Sequence, residues 1–550
     1  MINKQINSKN YNDKTKFSIK SHWLILVITI YIISALNLSF WRYIYQHATV
    51  PHFSDALFIF TIPFFIGSCL YFLLSLILWP YLTKAILIPL LIISSLTNYV
   101  MFQLGVYIDS DMIRNTVQTN QREATDLITF SGILWVFFLG IIPAVVLLFT
   151  KIKYKSPIRE VSYRVLGIVI CVAITVCIAA VSYKQYSAFG RNNRQLIRLI
   201  NPTNYIQGTL RYYQKQALVN REFVYLDPAA TRDIPENKAP RIFILAIGET
   251  SRSMNFDLNG YHKNTNPKLA KHDVISFQNV SSCGTATAIS LPCMFSNMPR
   301  KSYNADSANY TENFLDLFTQ TGIDILFREN DDGCKGVCKR VPTQDMVALG
   351  NLKFCDSNSC FDEVLVDDLD TYLANITKDT VLVIHMIGSH GPTYYKRYPP
   401  EFKVFNPTCD TAEIQGCSRE AITNTYDNTI AYADHVLAKA IDSLKKFPEL
   451  NTGLLYISDH GESLGENNIY LHGIPYSIAP KEQTSVPMIL WMSKLMEQDD
   501  AINAVCMRKK AQTAELSHDN LFHSMLGLMR IKTTKYQQEL DFFNSCRDKI

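Results

Sequence analysis

Five apolar stretches fill the first third of the chain, each long enough to cross a bilayer, for which about 17–25 residues are needed. They lie near Trp23–Phe40, Phe53–Trp79, Tyr81–Met101, Ile133–Phe149 and Val165–Val181. Such a succession is expected of a lipid-embedded bundle and not of a soluble core. An all-α membrane domain of five transmembrane helices is therefore expected over residues 1–183. The first stretch is not read as a cleavable signal, because its apolar core outruns signal length and no small-x-small site follows. Lys4, Lys9, Lys14, Lys16 and Lys20 precede the first stretch, and Lys151, Lys153, Lys155, Arg159 and Arg164 separate the fourth from the fifth. Positive flanks stay cytoplasmic. With the N-terminus inside, five crossings put everything after about Ser182 outside the cytoplasm.

The remainder reads as an ordinary globular α/β domain. A length of 550 residues implies at least two domains. A formal net charge of only +4, without a basic tract beyond the membrane flanks, argues against nucleic-acid binding. Cys69, Cys171 and Cys177 fall inside apolar stretches, and the other ten cysteines all follow residue 240. Close pairs stand out: Cys283 with Cys293, Cys334 with Cys338, Cys355 with Cys360, Cys409 with Cys417, leaving Cys506 for Cys546. A zinc ribbon is the alternative, but the repeated C-x-x-C spacing is missing. Disulfides in an oxidising compartment are expected.

Between the third and fourth stretches, residues 109–129 are too polar to cross a membrane. There Asn115, Thr119 and Glu123 recur every fourth residue, so one bridging helix would align them. Residues 184–239 read as an interfacial helix, over Asn192 to Phe223 with Tyr205, Tyr212 and Tyr213 as anchors, and a proline-bearing linker. From residue 240 to 550, apolar strand-like runs (Ile323–Phe327, Thr380–His385, Leu454–Ser458) alternate with helical patterns (Asn313–Thr321, Ala421–Phe447, His518–Leu528). That alternation implies a mainly parallel sheet wrapped by helices.

Two of the apolar runs, Ile242–Ile247 and Leu454–Ile457, are followed by Gly248-Glu249-Thr250 and Ser458-Asp459-His460-Gly461. Buried parallel strands are such continuous apolar runs, and ligands bind outside their carboxyl ends. Glu249, Asp459 and His460 then form an O/N donor set suited to zinc. The segment Ser282-Cys283-Gly284-Thr285-Ala286-Thr287-Ala288 is expected to bring Thr285 beside them, at a helix start. A hydroxyl next to a metal is a nucleophile suited to phosphoryl or sulfuryl groups. His518 and His523 read as packing or capping residues.

The segments IGETSR from Ile247, NFDLNGYHKNTNP from Asn255, SCGTATAISLPCMFS from Ser282 and YISDHGESLGE from Tyr456 resemble those of phosphoethanolamine transferases that modify lipid A. The resemblance covers essentially the whole chain. It implies a C-terminal sulfatase-like, or alkaline phosphatase-like, α/β sandwich. It implies that Thr285 is the nucleophile and that Glu249, Thr285, Asp459 and His460 hold one tightly bound Zn2+. His390 and His472 match histidines near the transferred phosphate, which either help hold a second zinc or protonate the leaving group. Lys335 matches a basic residue of the substrate pocket. Asn115, Thr119 and Glu123 match a row that holds the ethanolamine head group. Asn330 and Asp331 stand close to where the family has asparagines.

The resemblance further implies a monomeric, multi-pass protein of a Gram-negative inner membrane with a periplasmic catalytic domain. Phosphatidylethanolamine is the expected donor and lipid A phosphate the expected acceptor, with weaker attraction for polymyxin-like cationic peptides as the consequence. Three alternatives remain: a transferase acting on core sugars, glucans or proteins; a glycerol phosphate transferase; and a non-enzymatic membrane sensor.

Overall fold

The computed structural model describes residues 17–48, 53–119, 121–217, 222–233, 238–356 and 359–548. The chain divides into two compact units, Met1–Asp109 with Phe130–Gln207, and Ser110–Thr129 with Gly208–Ile550.

In the first unit, helices Phe53–Ile77, Leu82–Leu104, Phe130–Phe149 and Pro157–Asn192 are each long and apolar enough to cross a membrane. The stretch expected as one continuous first helix is instead two, Ser21–Ala35 and Leu38–His47, bent by 54°. Asn98, on the helix Leu82–Leu104, explains how lipid tolerates the break. Its Oδ1 accepts the Leu38 amide at 3.1 Å and its Nδ2 donates to the Ala35 carbonyl at 3.3 Å. Backbone groups freed by the bend would otherwise be unpaired in hydrocarbon. Leu24, Ile28, Ile32, Leu70, Leu74 and Leu91 form the core of this unit.

The interfacial helix expected over Asn192 to Phe223 is also shorter. A 3-10 segment Arg194–Leu199 precedes a helix Thr203–Ala217. Pro202 accounts for the interruption, since the residue before a proline avoids helical angles.

The second unit is built on a seven-stranded sheet. Its strands in chain order are β1 (Arg241–Gly248), β2 (Ile275–Phe277), β3 (Asp324–Glu329), β4 (Thr343–Asp345), β5 (Thr380–His385), β6 (Asn451–Ser458) and β7 (Met488–Met492). Across the sheet the order is β2-β7-β6-β1-β5-β3-β4. β7 pairs antiparallel to both neighbours, and the other pairings are parallel. Every residue of β1, β5 and β6 is buried, which fits central strands covered on both faces. Phe243, Leu245 and Ile247 of β1 share one core cluster with Leu291, Phe295, Phe314 and Leu521 from helices on that face. Each such side chain withdrawn from water stabilises the unit by roughly 1.5–3 kcal/mol. The 27-residue helix Arg419–Lys445 packs against β6.

The bridging segment belongs to this second unit. It is two helices, Ser110–Gln118 and Gln121–Asp126, and not the single helix expected. At the end of the first, both the amide and the hydroxyl of Thr119 go to the Asn115 carbonyl at 2.8 Å. All five cysteine pairings expected from spacing are formed as disulfides, and Cys69, Cys171 and Cys177 are free.

Candidate active site

The site is assembled at the carboxyl edge of the sheet. β1 and β6 are paired in register through Gly248 and Ser458, so Glu249 and Asp459 leave adjacent strand ends together. Thr250 turns the chain there with a φ of +52° and donates its amide to Asp459 Oδ1 at 3.2 Å. Gly388, with φ +51°, lies against the same corner. A Cβ at Gly388 would sit 2.7 Å from the Glu249 carbonyl oxygen, so no larger residue fits.

Glu249, Asp459 and His460 are wholly buried, and their ligand atoms lie within 4.8 Å of one another. His460 Nδ1 is bonded to the Gly461 carbonyl at 2.9 Å, which fixes the proton on that nitrogen and leaves Nε2 to face the carboxylates. Nε2 is 3.4 Å from Glu249 Oε1 and 3.3 Å from Asp459 Oδ2. Burial holds the His460 imidazole well below its usual range, with His472 adding to the effect, so it is a neutral donor. Burial raises Glu249 well above the usual carboxylate range, and the charges of Asp459 and Asp331 add to it. Asp459 is raised as well, chiefly by burial. Its Oδ2 has no hydrogen-bond partner. Two carboxylates pressed together out of water, with one oxygen unpartnered and an imidazole lone pair aimed between them, fit a divalent cation.

The hydroxyl beside this cluster is that of Thr287. Its Oγ1 donates to Glu249 Oε1 at 3.0 Å and Oε2 at 3.1 Å, and lies 3.3 Å from His460 Nε2. Thr285, the expected ligand and nucleophile, is elsewhere. Its hydroxyl donates to the Ile474 carbonyl at 2.7 Å, and its own carbonyl accepts the Gly473 amide at 2.7 Å. It straps its own loop to the loop carrying His472. The helix begins at Thr287 after an extended Ala286, not at Thr285.

Other expected residues gather around a cleft next to Thr287, lined by Asn115, Thr119, Asp331, Lys335, His390 and His472. Asn115 Oδ1 is buried without a partner among the described residues. The side chain of Glu123 lies outside the described residues. The His390 and His472 rings are stacked with centroids 5.9 Å apart, and His472 lies 4.5 Å from the His460 ring. Burial lowers the His390 pKa well below its usual value, with the charges of Arg397 and His472 adding to it. Lys335 Nζ is held by Asp332, at 2.7 Å from its carbonyl and 3.0 Å from Oδ2. Asn330 Nδ2 donates to the Cys360 carbonyl and to Asp362, so it braces the loop.

Sequence reasoning missed two further groups. Glu462 is buried and accepts from His472 Nδ1 at 3.1 Å, orienting that ring. On the other side of Glu249, Asp331 and His385 complete a second donor group within 4.8 Å. His385 Nδ1 meets Glu329 at 2.9 Å across the β3–β5 register, while its Nε2 has no partner. The acid of the DHGE run after β6 and a histidine at the end of β5 were the available signals.

His518, expected as a packing or capping residue, is a buried brace. Its Nδ1 accepts the Cys283 amide at 3.1 Å and its Nε2 donates to the Ser458 carbonyl at 3.0 Å.

Two family models match the chain: Sulfatase over residues 241–531, and phosphoethanolamine transferase EptA/EptB over residues 66–217. Phosphoethanolamine transferase EptA of Salmonella typhimurium is 42% identical over 529 residues, covering 96% of each chain. Phosphatidylethanolamine transferase Mcr-1 of Escherichia coli is 33% identical, covering 96% of this chain and 98% of its own. Among solved structures, the integral membrane protein lipooligosaccharide phosphoethanolamine transferase A from Neisseria meningitidis superposes with a TM-score of 0.94 at 37% identity, covering 97% of this chain and all of that one. With its helical first unit, its sulfatase-type second unit and a relative this similar end to end, the chain belongs to the phosphoethanolamine transferase family.

Proposed function

We propose that the protein transfers phosphoethanolamine from phosphatidylethanolamine to a phosphate of lipid A, through a covalent phosphoethanolamine–Thr287 intermediate. The observation that carries the reading is the Thr287 hydroxyl, within 3.3 Å of both Glu249 and His460. Glu249, Thr287, Asp459 and His460 are the residues that would hold Zn2+. When bound, the metal supplies Lewis-acid polarisation of the hydroxyl and of the phosphoryl oxygen.

In the first half-reaction Thr287 Oγ1 attacks phosphorus and the bond to the diacylglycerol oxygen breaks. The hydroxyl proton leaves along the hydrogen bond to Glu249, and His472, oriented by Glu462, delivers a proton to the departing diacylglycerol oxygen. Asn115 Oδ1 and Thr119 face the cleft where the ethanolammonium group would lie, and an unpartnered oxygen suits a cation. In the second half-reaction an acceptor phosphate oxygen attacks the same phosphorus. The Thr287–phosphorus bond breaks, the threonine oxygen regains its proton from Glu249, and the proton displaced from the acceptor's phosphate hydroxyl returns to His472.

The family and the run of apolar helices support a multi-pass inner-membrane protein with its catalytic unit in the periplasm. Each transfer places a cationic amine on an anionic surface and weakens its attraction for cationic peptides.

Mass spectrometry of lipid A from cells expressing the chain tests this. A phosphoethanolamine increment is expected with the wild type and is absent with Thr287→Ala. An increment of equal size in the variant would sink the nucleophile assignment, and no increment in the wild type would sink the acceptor.

A further inference from the structure

A second, larger cavity of about 510 Å³ opens beside the Thr287 cleft. It shares Gln118, Asp332 and Lys335 with that cleft, so the two adjoin. Its size suits a head group of sugar dimensions. Its walls carry the carboxamides of Gln118, Gln216 and Asn309 and the side chains of Asp306 and Lys339, with Tyr310 and Cys334 adding apolar surface between them.

The charges in these walls are matched with one exception. Asp306 is held by Arg114 at 2.7 Å, with both side chains buried, and Asp332 is held by Lys335 at 3.0 Å. The Lys339 ammonium is in no ion pair among the described residues, and it is the surplus cation. Gly336 puts it there. With φ +97°, that glycine brings Asn309 Oδ1 to 2.9 Å and Lys339 Nζ to 3.7 Å of where a Cβ would stand, so a side chain would fill this corner.

The two compartments therefore prefer opposite charges. On the cleft side, Asn115 Oδ1 and Gln118 Oε1 are buried oxygens without donors among the described residues, suited to an ammonium. On the cavity side the exposed, unmatched Lys339 ammonium lines the same wall as the Gln118, Gln216 and Asn309 carboxamides, a set suited to an anion with several acceptor oxygens. The donor head group carries the ammonium. The acceptor carries the phosphate.

We infer that the cavity walled by Asn309, Gln216 and Lys339 is the acceptor site, which receives a phosphorylated sugar head group and presents its phosphate to the Thr287-bound phosphoryl group. The assignment rests on the transfer reading above and adds where the second substrate enters. Lys339 acts by holding the acceptor and touches no bond that forms or breaks.

The test uses the full-length protein in detergent with two readouts on each sample. Diacylglycerol release from phosphatidylethanolamine without acceptor reports the first half-reaction. Transfer to a bisphosphorylated, acylated glucosamine disaccharide reports the second. Charge reversal by Lys339→Glu is expected to raise the acceptor KM about tenfold or more. The change in kcat should be small, diacylglycerol release should match the wild type, and Lys339→Arg should restore the KM. An unchanged acceptor KM in Lys339→Glu overturns the assignment. So does an equal loss of diacylglycerol release, which would move Lys339 to the donor side. If the wild type releases no diacylglycerol, the transfer reading itself fails and the acceptor site falls with it.

Discussion

Thr287 and Thr285 are chemically identical and two residues apart, so only their partners separate them. Thr287 Oγ1 lies among two carboxylate oxygens and an imidazole nitrogen, whereas Thr285 Oγ1 has a neutral backbone carbonyl. Thr287→Ala is therefore expected to cut diacylglycerol release at least about a thousandfold, as loss of a nucleophile does. Thr285→Ala loses one hydrogen bond, worth about 1 kcal/mol, and should keep the chemistry while loosening the His472 loop. The reverse ranking in a diacylglycerol-release assay would return the nucleophile to Thr285. The motif around both threonines was legible in the sequence, but the choice between them was not, because it depends on where the helix starts. His518 is a second case. Burial pushes its pKa down to about 4 from 6.5, so the unfolded chain binds the extra proton first. Stability is complete above pH 6.5 and falls as pH drops towards 4, by up to about 3 kcal/mol for this one group. A plot of melting temperature against pH over that window should be shallower in His518→Asn than in wild type. His523, also held down to about 4 by burial, leaves part of the slope in place. Identical slopes would remove His518 from this role.

At the scale of elements, the bridging segment shows why residue spacing predicted a helix but not its use. A four-residue repeat gives one face of one helix, yet Asn115 and Glu123 fall on two separate helices, Ser110–Gln118 and Gln121–Asp126. What fixes the segment is a pair of ionic anchors that no local pattern announces, since their partners are 192 and 271 residues away. Arg114 meets Asp306 at 2.7 Å, and Asp126 gathers Thr393 at 2.8 Å with Lys396 and Arg397 at 2.9 Å. Arg397 also donates from Nε to the His390 carbonyl at 2.8 Å, so the second anchor couples the segment to the catalytic cleft. Asp126→Ala should displace Asn115 and Thr119 more than it affects the metal ligands. The expected outcome is a phosphatidylethanolamine KM raised about fivefold, with kcat changed less, as for removal of a group that only binds substrate. Equal losses in kcat and kcat/KM, with KM unchanged, would instead place the segment in the chemical step. The disulfide Cys283–Cys293 belongs to the same scale. It closes a short loop, of sequence separation 10, around Thr287, and the close spacing of its cysteines was readable directly from the chain.

Across the whole molecule, what could be read in advance was whatever repeats: apolar runs long enough for lipid, and alternating strands and helices after residue 240. Sheet order was not readable, nor was the antiparallel β7, because strand sequences do not name their neighbours. The site depends on that order, since Glu249 and Asp459 meet only because β1 and β6 are adjacent and in register. Placing two carboxylates together at 0% exposure costs stability unless a cation joins them. Both stand above the usual carboxylate range, so without metal the unit should lose stability as pH rises through the range where they ionise. Zinc should therefore raise the melting temperature of the chelator-treated protein, by mass action on the folded state alone. Glu249→Gln removes one of the clashing charges together with a ligand. In chelator it is expected to melt no lower than the wild type, while losing most of the zinc-dependent increment and the transfer activity. A chelated variant that melts several degrees below the chelated wild type would show that Glu249 supports the fold without metal. A zinc increment that survives the substitution would move the metal to other residues, with Asp331 and His385 the next to replace.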